Sequence, residues 1–385
     1  MKVGTITFHG SHNYGSVLQA YALQEYTKKL LDSYHVPCEY QILNYRSKLQ
    51  KDLYSAPGFD SLVNILKTLM YIPYKKQLDI QHRKFESFIA EHLQTTEEFS
   101  SVNGLNEIAS RFDILMAGSD QIWNVRAKDF SFAYLFPGCS ARKISYAASL
   151  GPLKIDWERY DENKFKELLD RFSLISTREK MSRDMLFEVS GQKEIEILPD
   201  PVLLLDVHEW RKIQSDVVPG KMRPRIMKPG NMDPETSREY IFFYCLEPSG
   251  EHIRIARILS KKLGLPVVTA KYRNRYDYIN PFIKRYDAGP CDFLSLIDHS
   301  AVVLTSSFHG TLFSMIYGKP FYVINGMEDG RIRDILTAFH AEKNNIPYGI
   351  REISMQSEVQ NAEKLIAAER NKAKQYLIKA LGISE

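Results

Sequence analysis

The sequence predicts an α/β protein made of two Rossmann-like domains, each built on a mostly parallel sheet. Short β-branched apolar segments alternate with segments of helical periodicity on both sides of a Pro/Gly-rich break. Polar loops follow many of the apolar segments, as they do at the ligand-binding edge of parallel sheets. The length of 385 residues exceeds the usual size of one domain. These three observations favour two domains of the same class.

The clearest strand–turn–helix unit occupies residues 301–321, which read AVVLTSSFHGTLFSMIYGKPF. Residues 301–304 form a short apolar run typical of a strand buried on both faces, and helical spacing begins at residue 311. Between them lie Ser306, Ser307 and His309, where hydroxyls, an imidazole and free helix amides favour binding of a phosphate or carboxylate. A structural histidine beside an ordinary serine cap is the alternative.

The first domain is predicted to span residues 1–206. Its predicted strands are 2–8, 40–44, 112–117, 143–148, 174–176 and 195–198. A polar loop after the first strand leads into a helix that Ser16 is expected to cap. The loop lacks G-x-G-x-x-G spacing and a Walker lysine, so the pattern does not favour a dinucleotide site.

Residues 50–90 are predicted to form a helical insertion in this first domain. An apolar helical face at 62–70 is followed by basic residues, among them Lys75, Lys76 and Arg83. Such a segment can rest on a membrane surface, or it can be a lid or a helix packed on its own domain. Both interpretations remain open at this stage.

Residues 207–239 lose periodicity and contain several Pro and Gly residues among charges, which predicts a linker or loop. A second domain is predicted for residues 240–350. Its expected strands are 240–245, 267–269, 301–304 and 321–324. Residues 351–385 are expected to be helical from residue 358 and to pack back on the first domain.

The segment Gly118-Ser119-Asp120-Gln121-Ile122-Trp123-Asn124 follows the apolar strand 112–117. It concentrates a carboxylate, two amides, a hydroxyl and an indole, which indicates a binding site rather than a purely structural loop. The polar loops at 9–16, 118–124, 149–151, 176–179 and 305–310 all follow strands, so one cleft between two domains would bring them together.

Composition narrows the function classes. The formal net charge of +4 and the lack of a long basic block do not favour nucleic acid as a partner. The four cysteines, at 38, 139, 245 and 291, form no C-x-x-C pair, so we expect a reduced cytoplasmic protein without structural zinc. The N-terminus does not resemble a signal peptide, and no run reaches the ~20 apolar residues of a membrane span. Oligomeric state stays open.

Seven segments, in family order along the chain, resemble the polysaccharide pyruvyl transferase family. They are HNYGSVLQAYAL at 12–23, AGSDQIWN at 117–124, SYAASLG at 145–151, STREKMS at 176–182, LPDPVLLL at 198–205, GPCDFLSLI at 289–297 and SSFHGTLFSMIYGKPF at 306–321. The resemblance implies two Rossmann-like domains in a glycosyltransferase-B-like arrangement. It also implies transfer of pyruvate from phosphoenolpyruvate onto a sugar of a bacterial surface polysaccharide or its precursor, giving a cyclic ketal.

The resemblance implies that Arg178 and His309 belong to the donor site in this chain. Many members carry arginine where Ser307 stands, so we expect another cation to compensate, and Arg331 and Arg333 follow the loop after strand 321–324. The predicted donor-binding residues are Arg178, Ser306, Ser307, His309, Arg331 and Arg333. His309 is the predicted general acid and Asp120 the predicted base, although the two roles could be exchanged.

The first domain is expected to hold the acceptor, which is a sugar or a lipid-linked oligosaccharide. The predicted acceptor-binding residues are Asn13, Tyr14, Ser16, Gln19, Ser119, Gln121, Trp123 and Asn124. No Asp-x-Asp or His/Cys cluster suggests a metal, and no cofactor is expected besides phosphoenolpyruvate as co-substrate. We expect a cytoplasmic location, with contact to the inner face of the membrane left open.

Two other functions fit the same architecture. A nucleotide-sugar-dependent glycosyltransferase would need a ribose partner, for which Glu328 and Asp329 are candidates. A glycan-binding relative without catalysis is the other, since Ser307 replaces an anion-binding arginine. Binding of a uridine or guanosine diphosphate would favour the first, and binding of phosphoenolpyruvate without turnover would favour the second.

Overall fold

The computed structural model describes residues 1–47, 49, 71–191, 194–216, 239–272, 280–355, 359 and 361–383. The chain divides into two compact units. The first unit comprises the described residues of Met1–Ser55, Phe88–Leu205 and Glu363–Glu385, and the second comprises those of Ala56–Ser87 and Asp206–Ala362.

The sheet of the first unit contains six strands in the order β2-β1-β3-β4-β5-β6, and every neighbouring pair is parallel. The elements, in chain order, are β1 Lys2–Ile6, α1 Tyr14–Ser33, β2 Glu39–Ile42, α2 Lys75–His92, α3 Val102–Ala109, β3 Ile114–Ala117, β4 Arg142–Ser145, α4 Glu162–Leu169, β5 Phe172–Thr177, α5 Lys180–Ser190 and β6 Ile195–Ile197. The residues of α2 up to Ser87 belong to the second unit, and those from Phe88 belong to the first.

The sheet of the second unit also has six parallel strands, in the order β12-β11-β10-β7-β8-β9. The remaining elements are α6 Val207–Ile213, β7 Ile241–Tyr244, α7 Gly250–Leu263, β8 Val267–Thr269, β9 Ile283–Lys284, α8 Pro290–Asp298, β10 Val302–Thr305, α9 Phe308–Ile316, β11 Phe321–Ile324, α10 Gly330–Ala338, β12 Asn345–Ile346 and α11 Ala362–Leu381. The α/β fold class with two Rossmann-like domains is therefore confirmed.

The central strands are apolar because both faces of each sheet are covered. Every residue of β3 and of β10 is buried, which is the pattern of parallel strands with helices on both sides. The core of the first unit includes Leu115, Trp123 and Phe165, whereas that of the second includes Phe243 and Leu304. Burial of these large side chains supplies most of the stability of such sheets.

The C-terminal helix α11 packs in the first unit. The Tyr376 hydroxyl donates to the carbonyl oxygen of Ser145 at 2.7 Å. The Arg370 guanidinium donates to the carbonyl oxygens of Leu203 and Leu205 at 2.6 and 2.7 Å. These bonds attach the helix to the end of β4 and to the turn after β6.

The N-terminal part of α2 packs in the second unit, whereas the sequence placed residues 50–90 as an insertion in the first domain. Gln81 Nε2 donates to the carbonyl oxygen of Ala288 at 3.1 Å, and Lys84 Nζ lies 2.6 Å from the Asp292 carboxylate. These contacts are with residues more than 200 positions away, so the local sequence pattern of α2 does not show which unit the helix joins. Residues 50–70 of the predicted insertion lie outside the described residues.

Three local expectations differ from the structure. Residues 207–213 form helix α6 rather than linker, because Asp206 and Glu209 make a reciprocal capping box; residues 217–238 of that linker lie outside the described residues. Asn13 caps α1 instead of Ser16. Helix α9 begins at Phe308, since Ser307 is its N-cap, and not at residue 311. In the part of the chain that the structure describes, no helix is long and apolar enough to cross a membrane.

Candidate active site

Each sheet has one point at which the strand order reverses, and ligands of parallel α/β sheets bind there, outside the carboxyl ends of the strands. In the first unit this switch point lies between β1 and β3. In the second unit it lies between β7 and β10, because β8 follows on one side of β7 and β10 on the other. The side chains that follow these four strands are therefore the first candidates.

At the first switch point, Ser16 Oγ donates to Asp120 Oδ2 at 2.5 Å. The other carboxylate oxygen of Asp120 accepts from the backbone N–H of Gln121 at 2.8 Å, and the residue is 8% exposed. Thr7 Oγ1 donates to the carbonyl oxygen of Ser119 at 2.8 Å and accepts from Gln19 at the same distance. The ends of β1 and β3 and the start of α1 thus share one polar network.

Asp120, in this network, and Ala147, on the neighbouring strand-to-helix loop, have left-handed backbone conformations although neither is a glycine. Asp120 has φ +77°, and Ala147, after β4, has φ +49°. Such conformations cost about 1–3 kcal/mol each and persist where the surroundings impose them, commonly at functional sites. Here the polar network holds Asp120 in a fixed orientation.

Arg178, which follows β5, is enclosed by carboxylates. Its Nη1 lies 2.8 Å from Asp200 Oδ2 and its Nε lies 3.5 Å from Glu179 Oε2, while its side chain is 2% exposed. Burial opposes the charge of the guanidinium, but Asp200 and Glu179, with Asp120 further away, outweigh it and raise the pKa of Arg178. A dianionic ligand would have to compete with these ion pairs for the guanidinium.

Glu179 and Asp200 are members of this network that the sequence analysis did not single out as site residues. Glu179 Oε1 accepts from the hydroxyls of Ser149, at 2.6 Å, and of Ser182. Asp200 also accepts from Ser119 Oγ at 3.4 Å. Both acidic residues lie within segments that carry the resemblance, but only the fold shows that they flank the same arginine.

Five of the predicted acceptor residues are buried in the first unit, namely Tyr14, Ser16, Gln19, Ser119 and Trp123. Trp123 is fully buried, and its Nε1 donates to the carbonyl oxygen of Tyr134 at 3.1 Å, so packing accounts for this side chain. Tyr14 is also buried, in the first turn of α1. Asn13 accepts from the backbone N–H of Gly15 at 3.0 Å as the helix cap.

Gln121 and Asn124 form a pair above the turn after β4. Asn124 Nδ2 donates to Gln121 Oε1 at 2.9 Å, and both residues are partly exposed. Gly151 lies against them with φ +87°, where a Cβ atom would meet the amides of both side chains. Among the predicted acceptor residues, Asn13, Gln121 and Asn124 are partly exposed.

At the second switch point, His309 lies in the first turn of α9 and is 9% exposed. The helix approaches the sheet closely: Ser307 N donates to Thr305 Oγ1 at 2.9 Å, and a Cβ atom on Gly310 would collide with that hydroxyl. The geometry therefore fixes the imidazole at the positive end of a helix, beside the carboxyl end of β10.

Neighbouring groups at the end of β7 are neutral. Burial raises the pKa of the Cys245 thiol to about 12, although hydrogen bonds with Ser306 oppose that shift. Ser306 N also donates to the carbonyl oxygen of Tyr244 at 3.3 Å. The cysteine is thus a protonated partner of Ser306 and not a nucleophile.

His252 is a further polar residue that the sequence analysis missed. It lies in the first turn of α7, and its Nδ1 accepts from Ser249 N at 3.1 Å. Tyr348, after β12, approaches the other ring nitrogen at 3.5 Å. The Ser-x-x-His spacing could have indicated a cap at 249, because the residue three positions after a cap often bonds back to it.

Comparison with known proteins decides the family. A model of the family described as polysaccharide pyruvyl transferase matches residues 13–326, which is most of the chain. The chain belongs to the polysaccharide pyruvyl transferase family. A search of curated protein sequences finds no significant match.

Solved structures similar to this pyruvyl transferase family member include three UDP-N-acetylglucosamine 2-epimerases. The enzyme from Methanocaldococcus jannaschii has a TM-score of 0.56 and 9% identity, with both chains fully covered. That from Neisseria meningitidis, bound to UDP-GlcNAc, has a TM-score of 0.52 and 11% identity over the whole of both chains. That from Rickettsia bellii has a TM-score of 0.51 and 10% identity, covering 99% of this chain and 96% of the other. At such identities the likeness shows the fold alone, and it supports the glycosyltransferase-B-like fold class.

Arg331 and Arg333, the predicted substitutes for the missing family arginine, lie at the start of α10. Arg331 makes a double contact with the Asp329 carboxylate, at 3.0 and 2.6 Å. Arg333 is exposed, and its Nη1 donates to the carbonyl oxygen of Met327 at 3.2 Å. Asp329 thus neutralises Arg331, whereas Arg333 contacts a backbone oxygen.

Proposed function

We propose that this protein transfers the pyruvyl group of phosphoenolpyruvate to two hydroxyls of one sugar, in a bacterial surface polysaccharide or its precursor, to form a cyclic ketal. The proposal rests on the family of the chain and on one structural observation. His309 lies at the N-terminus of α9, at the switch point of the second sheet. This is where a small anion is expected to bind in such a fold.

The second unit is the proposed donor side. Phosphoenolpyruvate carries a phosphate and a carboxylate, and each needs hydrogen-bond donors or a cation. The N-terminus of α9, the hydroxyls of Ser306 and Ser307 and the imidazole of His309 supply such groups within four residues. Arg333, near the start of α10, is the proposed additional cation.

The reaction balances with the groups proposed. Two sugar hydroxyls form C–O bonds to C2 of the enolpyruvate, the C2–O bond to phosphate breaks, and phosphate leaves. Of the two hydroxyl protons, in net terms, one ends on the methylene carbon, which becomes a methyl group, and the other leaves with phosphate. We assign protonation of the methylene to His309, which a histidine can perform near neutral pH. Phosphoenolpyruvate is the co-substrate that donates the pyruvyl group, and the step involves no change of oxidation state that would need a redox cofactor.

The first unit is the proposed acceptor side. At the carboxyl edge of its sheet, Asp120, Glu179 and Asp200 all act on one guanidinium, a charge balance that disfavours an anion and suits neutral hydroxyls. We propose that Asp120 accepts a proton from a sugar hydroxyl and that Ser16 holds it in position. Arg178, in this account, organises the carboxylates instead of binding the donor.

The acceptor is proposed to be a sugar or a lipid-linked oligosaccharide. Because phosphoenolpyruvate is a cytoplasmic metabolite, we place the reaction in the cytoplasm. A lipid-linked acceptor would bring the protein to the inner face of the membrane.

Calorimetry tests the donor. Phosphoenolpyruvate, inorganic phosphate and UDP are titrated separately into the full chain and into the His309→Asn variant, with Phe187→Ala as an exposed-aromatic control in the first unit. We expect phosphoenolpyruvate to bind more tightly than phosphate, because its carboxylate adds contacts. Binding of UDP without binding of phosphoenolpyruvate would contradict the proposal and favour a nucleotide-sugar-dependent transferase.

A further inference from the structure

A network of three side chains lies at the carboxyl edge of the second sheet, and the proposed donor contacts do not use it. Ser249 is the N-cap of α7, His252 lies in the first turn of that helix, and Tyr348 follows β12. His252 is 6% exposed, whereas Tyr348 is 45% exposed, one of the most exposed large aromatic side chains described. A buried histidine thus supports an exposed tyrosine that is 96 positions away in sequence.

The hydrogen bonds determine the tautomer of His252. The backbone N–H of Ser249 donates to Nδ1 at 3.1 Å, and the Ser249 hydroxyl lies 2.8 Å from the same atom. A nitrogen that accepts from a backbone N–H carries no proton, so the ring proton is on Nε2. Nε2 lies 3.5 Å from the Tyr348 hydroxyl and donates to it. The rings of His252 and Tyr348 meet edge to face, with centroids 5.5 Å apart.

This arrangement leaves Tyr348 with an oriented ring and a protonated hydroxyl. Partial burial raises the pKa of Tyr348, a hydrogen bond with the Ser249 side chain opposes that shift, and the neighbouring Cys245 and Glu251 add to it. The phenol therefore stays protonated and remains a hydrogen-bond donor. Cys245 in turn bonds with Ser306, which precedes the cap of α9. Tyr348 therefore belongs to the same edge of the sheet as the proposed donor groups.

A half-exposed, oriented ring with a polar tip suits a ligand that has both apolar and polar faces. Sugars have this character, because the C–H face of the ring packs on an aromatic surface while the hydroxyls bond to polar tips. We propose that Tyr348 contacts a sugar ring at the carboxyl edge of the second sheet and that His252 is the positioning residue that holds it. This inference rests on the proposed function, which supplies a sugar as the substrate.

Two substitutions separate positioning from mere structural support. Glutamine is a standard capping-box residue, so His252→Gln keeps the bond to the Ser249 backbone and with it the start of α7. A glutamine engaged in that cap does not reach Tyr348. We expect the melting temperature and the affinity for phosphoenolpyruvate to be unchanged. Because a buried neutral hydrogen bond contributes modestly, the KM for the acceptor should rise by about five-fold with little change in kcat.

Tyr348→Phe removes the hydroxyl alone and should reproduce the effect of His252→Gln. Because both variants break the same contact, the double variant should be no worse than either single one. Additive losses in KM would show that the two residues act separately, and equal losses in kcat and phosphoenolpyruvate affinity would show a structural role only. Either outcome overturns the positioning role.

Sugar binding is measured without turnover by saturation-transfer NMR on the full chain. The probes are the methyl glycosides of galactose, glucose, mannose and N-acetylglucosamine. At least one probe should receive magnetisation from the wild-type protein, and Tyr348→Ala should reduce that signal by about five-fold, as expected for a lost aromatic contact. Phe187→Ala, at an aromatic residue exposed by 46%, is the matched control and should leave it unchanged.

Absence of transfer to every glycoside, or transfer that persists in Tyr348→Ala, overturns the inference. Calorimetry with phosphoenolpyruvate on the same samples keeps the two claims apart. If the wild-type protein does not bind phosphoenolpyruvate, the proposed donor is wrong, while the NMR result still decides whether Tyr348 contacts a sugar.

Discussion

Arg178 Nη1 donates to Asp200 Oδ2 at 2.8 Å, and neither side chain is more than 2% exposed. This ion pair joins the end of β5 to the turn after β6. Glu179 forms a second ion pair with the same guanidinium, with Oε2 3.5 Å from Arg178 Nε. An arginine held in this way is the centre of a buried structural network. A dianionic donor would have to displace Asp200 and Glu179 to reach it.

Removing the guanidinium should therefore affect stability more than donor binding. Because Arg178→Gln leaves Asp200 buried without its partner, we expect the free energy of unfolding to fall by about 3–5 kcal/mol. The folded fraction should bind phosphoenolpyruvate with unchanged affinity. Urea unfolding and calorimetry measure the two quantities.

Arg171→Gln is the matched control for this prediction. Arg171 pairs with Glu167 on the surface, with 45% and 65% of the two side chains exposed. Surface pairs contribute little, so its unfolding free energy should change by less than about 1 kcal/mol. If Arg178→Gln instead loses donor affinity while its stability is unchanged, Arg178 is a donor ligand after all.

Asp120→Asn should abolish proton acceptance while it preserves the shape of the first switch point. Loss of a general base typically lowers turnover by about 10²–10⁴-fold, and we expect phosphoenolpyruvate affinity to stay the same. Asp156→Asn, at a partly exposed acid that pairs with Arg126, serves as the control. Initial rates of phosphate release report turnover. A variant at position 120 with near-normal rates would show that the Ser16–Asp120 bond is only structural.

The compensating cation is tested by neutralising the two arginines of α10 separately. Arg333→Gln should weaken phosphoenolpyruvate binding by about ten-fold or more, since a hydrogen bond to a charged group contributes about 1.5–3 kcal/mol. Arg331→Gln should have a smaller effect, because Asp329 already neutralises that guanidinium. Calorimetry at fixed ionic strength gives both affinities. Unchanged affinity in both variants would exclude these residues as substitutes for the family arginine.

Acid should destabilise the second unit through His252. Burial lowers the pKa of His252 in the folded protein, while Glu251 opposes the shift only in part. The unfolded chain therefore takes up this proton first, near its ordinary pKa of about 6.5. The stability from the neutral imidazole is complete above that pH and is lost as the pH falls toward the folded pKa.

The measurement is urea unfolding of the wild type and of His252→Gln between pH 7.5 and pH 5.5. We expect the wild type to lose more stability than the variant, because glutamine does not titrate. Equal losses in the two proteins would assign the acid sensitivity to other groups.

The sequence predicted the second switch point more completely than the first. The apolar run before Thr305 and the break at Gly318 place Ser306, Ser307 and His309 at the end of a strand, because a parallel sheet allows few other positions. The sequence pattern predicted that α9 begins at residue 311, three residues after its observed start at Phe308, because His309 and Gly310 are typical of a turn. In the structure Gly310 lies inside the helix, close against Thr305.

The other contacts of the candidate site were not predicted, because they join residues that are far apart in the sequence. Nothing in the segments around Arg178 and Asp200 indicates that these two side chains meet, because the turn after β6 must first fold beside β5. Ser16 was expected to cap a helix, but it bonds to Asp120, 104 positions away. Trp123 was expected at the acceptor, yet its ring fills the core. Such roles depend on which loops become neighbours, and local sequence does not encode that directly.

Mass spectrometry of the product tests the central claim most directly. Candidate glycans of a bacterial surface polysaccharide are incubated with phosphoenolpyruvate and either the wild-type protein or His309→Asn, and released phosphate is measured in the same samples. The account predicts a glycan that gains one pyruvyl group as a ketal, with one phosphate released per group added. In His309→Asn both should fall together by about 10²–10⁴-fold. Phosphate release without any modified glycan, or equal product from both proteins, would contradict it.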